Sequence, residues 1–87
     1  MNDVQPILIE IGKQLKDERE IRELQQKDVA QKIGLSRQHL SSIEHGRVET
    51  YSIRSLILLC DLYNINLSDL IQTSEKHLNK SYNLENK

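Results

Sequence analysis

Arg37, Gln38, Ser41, Ser42 and His45 fall at spacings of one, three and four. On a helix those positions share one outer face, and every side chain on that face is a hydrogen-bonding type. The chemistry open to such a face is recognition. An arginine fork matches O6 and N7 of guanine, a glutamine amide matches N6 and N7 of adenine, and short hydroxyls reach bases or phosphates. Catalysis finds no support, because no nucleophile stands in a pattern with a base and no glycine-rich loop is placed to cradle a phosphate. Asp17, Glu18 and Glu20 read as the wet side of a helix. His39, His45 and His77 with the single Cys60 make no metal-ligand spacing, so neither a metal nor a cofactor is expected.

A face of this kind needs rigid elements beneath it. Ser36 is placed to cap the recognition helix, Leu40 and Ile43 to bury its inner side, and Gly46 to stop it. A short helix precedes it, with Val29, Ala30 and Ile33 inward and Gly34 as a left-handed terminator. Ala30 is small where two helices must cross, and Leu35 packs at the turn. Two helices joined by so short a turn make a helix-turn-helix.

The remaining elements supply the core. Val4, Ile7, Leu8, Ile11 and Leu15 predict a first helix from an Asp3 cap to about Arg22, with Lys13–Asp17 and Lys16–Glu20 pairs on its wet side. Ser52 caps a fourth helix carrying Ile53, Leu56, Ile57, Leu59, Cys60, Leu62 and Tyr63. It is apolar on most of its surface, so it is central or feeds a dimer interface as well. Asn64 ends it, and Leu67, Leu70 and Ile71 predict a short fifth helix. The fold class is therefore all-α with five helices. The reading divides the chain into an N-terminal extension of helix one at 1–10, a helix-turn-helix domain at 11–72 and a polar, flexible tail at 73–87.

Eighty-seven residues allow one domain with one modest core. With no Trp, no Phe and three Tyr, that core must be largely aliphatic. A hydrophobic fraction of 37% with 29% charged residues places the chain among globular proteins and not disordered ones. No run reaches the length of a membrane span, and the first ten residues lack the features of a signal peptide. One cysteine makes no internal disulfide, so a cytoplasmic location is expected. Net charge is −1, yet Arg22 to Arg47 carries five basic residues against three acidic ones. A modest positive face on a mildly acidic body follows, with His39 and His45 added to it.

The stretch from Leu24 to Gly46 resembles the helix-turn-helix of the lambda repressor and Cro family, also called Xre-like. Leu24, Gln26, Ala30, Gly34, Ser36, Ser41, Ile43, Glu44 and Gly46 match its pattern, and the similarity extends from about Ile11 to Ile71. The resemblance implies a lambda-repressor-like fold, base contacts by Arg37, Gln38 and Ser42, and backbone contacts by Gln26, Ser36, His39, Ser41, His45 and Arg47. Gln26 would also brace Arg37. It further implies a salt bridge from Arg19 to Glu44. Three positions depart from the family: Glu23 replaces a common Gly, Gln25 a capping Ser or Thr, and Tyr51 a frequent Pro.

The function expected is a transcription regulator, a repressor that binds an inverted repeat in double-stranded DNA as a homodimer. Small proteins of this family also serve as antitoxins with a toxin partner, or as restriction–modification controllers, and sequence does not separate these roles. Enzyme activity is not expected.

Overall fold

The computed structural model describes residues 5–47 and 51–85, with side chains through residue 80. Five helices run in order: α1 (Gln5–Ile21), α2 (Gln26–Ile33), α3 (Arg37–Glu44), α4 (Ile53–Tyr63) and α5 (Leu67–Glu85). The proposed Asp3 cap and Val4 lie outside the described residues. So do residues 48–50 of the loop before α4.

All four turns between the helices use one device. A residue in the left-handed region follows the helix, and the next amide reaches back to a carbonyl five residues earlier. The amide bonds are Leu24 to Arg19, Leu35 to Ala30, Arg47 to Ser42 and Ile65 to Cys60, at 2.8–3.2 Å. They satisfy carbonyls that a helix end leaves without partners. The left-handed residues are Glu23 (φ 56°), Gly34 (φ 78°), Gly46 (φ 77°) and Asn64 (φ 55°). Gly34, Gly46 and Asn64 suit that conformation. Glu23 does not, because its Cβ crowds the backbone there. The family's common glycine at this position thus has a physical reason, and Glu23 adopts the same turn under strain. Glu23→Gly is expected to stabilise the fold by about 0.5–1 kcal/mol, the relief outweighing glycine's entropy. Urea denaturation of the two proteins measures it.

Apart from the Cys60 thiol, the core is aliphatic with one exception. Leu15, Leu40, Ile43 and Leu59 are fully buried, and Val29, Ala30 and Cys60 nearly so. The exception is Tyr63, the largest side chain in the core at 1% exposure. Its hydroxyl has no hydrogen-bond partner among the described residues. Burial pushes that phenol up to about 12, and burial likewise raises the Cys60 thiol. A thiol that is buried and protonated is inert, in keeping with a packing role for Cys60.

One expectation needs correction. The fifth helix is not short: it continues through the stretch read as a tail, at least to Glu85. Ser74 explains the error. It interrupts the apolar stripe after Leu70, yet it is fully buried and its hydroxyl donates to the Leu70 carbonyl at 2.9 Å. Being small and satisfied, it occupies a stripe position between Leu70 and the half-buried Leu78. Across it lies α1, whose Gln14 meets His77 at 3.2 Å. Helices α1 and α5 run unbroken across positions 10 and 72, and Ile7 and Leu8 pack against the core.

Candidate nucleic-acid interface

The interface is built from the inside of α3 outward. Ser36 is extended (φ −76°, ψ 157°), and its Oγ accepts from the His39 amide at 3.0 Å, which fixes where the helix begins. Leu40 and Ile43 then anchor the inner side at 0% exposure. The opposite side is left to solvent. Arg37, Gln38, Ser41, Ser42, His45 and Arg47 line one shallow groove along it. Six of the nine residues expected to contact DNA are therefore brought together. Gln26 lies beside the groove, Ser36 is engaged as the cap, and His39 sits half-buried off the groove.

A buried network holds this face in place. Arg19 forms a two-pronged ion pair with Glu44, Nε to Oε2 at 2.8 Å and Nη2 to Oε1 at 3.1 Å. Its third bond, from Nη1, goes to the Leu24 carbonyl at 2.8 Å, in the turn after α1. Gln26 Nε2 donates to Glu44 Oε1 at 2.9 Å, and Arg37 Nη1 donates to Gln26 Oε1 at 3.3 Å. The chain of contacts thus runs from the buried pair to the first residue of α3. Side-chain exposure is 10% for Arg19 and 1% for Glu44, so the pair is desolvated and compensated at once. The hydrogen bond to Glu44 raises the Arg19 pKa above its ordinary value, so the guanidinium stays charged.

His45 is oriented by its own turn. Its Nδ1 lies 2.7 Å from the Ser41 carbonyl oxygen, which only accepts, so Nδ1 carries a hydrogen. Nε2 remains for an outside partner. At the start of α2, Gln25 is extended and makes no side-chain cap. The first amides of α2 are therefore not capped by Gln25, an arrangement that suits phosphate.

Some contributors escaped the sequence reading. Gly12 is buried where α1 crosses the end of α3; a Cβ there would lie 2.6 Å from the carbonyl oxygens of Ile43 and Glu44. Tyr51, which stands where the family has a frequent Pro, is half-buried with its hydroxyl 2.8 Å from the carbonyls of Leu8 and Ile43. It ties α1 to α3. Gln5 Nε2 adds a 3.0 Å bond to the Gly46 carbonyl. A second depression, between α1, α2 and α3, is lined by Ile9, Lys13, Lys16, Gln26, Glu44 and His45. The sequence paired Lys13 with Asp17, but its amine lies 3.7 Å from Glu10 instead.

Among the described residues, no group of His, Cys, Asp and Glu is arranged to hold a metal ion, and no helix is long and apolar enough to cross a membrane. A family model described as helix-turn-helix matches residues 15–70, more than half of the chain. No curated protein matches it.

Proposed function

Because the chain belongs to the Xre and lambda repressor-like helix-turn-helix family of DNA-binding transcription regulators, we propose that it is a cytoplasmic, sequence-specific repressor that occupies an inverted-repeat operator as a homodimer. The observation that carries this reading is the groove of six hydrogen-bonding side chains along α3, braced from below by the Arg19–Glu44–Gln26 network. We assign the DNA-binding unit to residues 11–72. Arg37, Gln38 and Ser42 read base edges. Gln26, Ser36, His39, Ser41, His45 and Arg47 grip the backbone.

A single module of this size makes few contacts, so two copies are needed for affinity and specificity. A two-fold pair places recognition helices about 34 Å apart, one turn of DNA. The outer face of α4 supports self-association: Ile53 and Ile57, one turn apart, are 66% and 44% exposed. Arg54 and Asp61 flank them, seven residues apart and both exposed. In an antiparallel pairing of α4 with its copy, Arg54 of one meets Asp61 of the other, twice over.

Selection from random duplex DNA tests the reading. The wild type is expected to enrich an inverted repeat, and failure to enrich any sequence would contradict it. Gln38→Ala should relax base choice at one position per half-site, by about 1–3 kcal/mol. Arg47→Ala should instead weaken all sequences alike and reduce the salt slope by about 0.9. Competition titrations with single-base variants of the selected site separate the two effects.

A further inference from the structure

We propose that the DNA-binding surface extends beyond the helix-turn-helix onto α1, where Lys13 and Lys16 hold the phosphate backbone of the same duplex. This rests on the regulator reading and adds a binding site to it, since both lysines lie upstream of α2.

Continuity is the first observation. The depression that contains Lys13 and Lys16 is also lined by Gln26 and His45, two side chains assigned above to phosphate. His45 belongs equally to the groove along α3. Gln26 belongs equally to a third depression, with Lys27 and Arg37. A backbone strand that touches Gln26 and His45 therefore passes the opening that the α1 lysines border.

Charge is the second. Glu44 is the one carboxylate in that lining, and it would repel phosphate if it were free. It is not free: Arg19 takes both its oxygens, Gln26 adds a further bond, and its side chain is 1% exposed. What the surface presents is Lys13 and Lys16, both exposed. Lys13 meets Glu10 only at 3.7 Å, with 63% of its side chain exposed. An amine so placed can leave a wet ion pair for a phosphate with little loss.

The third is the modest charge of the whole chain. A net charge of −1 gives little long-range attraction to DNA. Affinity must then come from cations gathered at one surface. The connected depressions gather Lys13, Lys16, Lys27, Arg37 and Arg47.

The test uses the full chain and a fluorescein-labelled random-sequence duplex, with binding followed by anisotropy across a salt series. Random sequence suffices because phosphate contacts ignore base identity. The Lys13→Gln/Lys16→Gln double variant is expected to lower the slope of log K against log salt by about 1.8, and to weaken binding about tenfold near 0.1 M salt. Lys13→Arg/Lys16→Arg, which keeps the charges, should retain the wild-type slope and separates charge from shape. Circular dichroism should show all three proteins equally folded. A double Gln variant with the wild-type slope would overturn the α1 contact and leave the regulator reading standing. Absence of wild-type binding even at low salt would overturn both.

Discussion

Arg19→Ala is expected to destabilise the fold by about 3–5 kcal/mol, a large share of the roughly 5–15 kcal/mol that holds a domain together. The reason is what it leaves behind. Glu44 is 1% exposed and loses both prongs of its partner, keeping only the amide of Gln26. A buried carboxylate with so little compensation is costly whether it stays charged or takes up a proton. Glu44→Ala should cost less. Arg19 retains the Leu24 carbonyl at 2.8 Å and, being 10% exposed, can move its charge toward water. Replacing both with Met and Leu should recover much of the loss, because the desolvation penalty leaves with the charges. Urea denaturation followed by circular dichroism measures all three. The order Arg19→Ala, Glu44→Ala, double replacement, from worst to best, is the expected result.

The second large effect lies at Gly46. Alanine there meets two penalties at once. The backbone is left-handed (φ 77°), and the added Cβ would fall 2.5 Å from the Ile9 Cα. Left-handed strain contributes about 1–2 kcal/mol and overpacking about 1–3 kcal/mol, so the sum should be near 3 kcal/mol. Gly34 shares the conformation (φ 78°) but has nothing within 4 Å of the added atom. Gly34→Ala should therefore show the strain alone, about 1 kcal/mol. Gly12→Ala involves no left-handed angle and sets the crowding against alanine's helix preference of about 1 kcal/mol. Comparing the three variants by thermal unfolding separates backbone strain from close helix approach.

Much of this structure was legible from residue types. Ser36 and Ser52 announced helix starts, and Gly34, Gly46 and Asn64 announced ends, because caps and left-handed turns select few residues. Val29, Ala30, Ile33, Leu40 and Ile43 gave the buried side of the two short helices, and subtraction gave the polar groove. The misses share a physical cause. Glu23 occupies a turn it does not favour, so its type hid the geometry. Ser74 fills an apolar stripe while satisfying its own hydroxyl, so polarity hid the helix. Gly12 looks like any glycine until α3 is seen crossing it. Lys13 and Lys16 are exposed, as their wet face implied, but the sequence shows only which charges share a helix and not that α1 borders the surface formed by α2 and α3.

The central claim is that the outer face of α3 is where this protein meets DNA. Nitrogen-15 amide shifts of the full chain, titrated with the duplex enriched by selection, test it most directly. The largest changes should fall on Arg37, Gln38, Ser41, Ser42 and His45, with a weaker set at Gln26 and on the Lys13–Lys16 turn of α1. Changes confined to the outer faces of α4 and α5, with α3 silent, would contradict it.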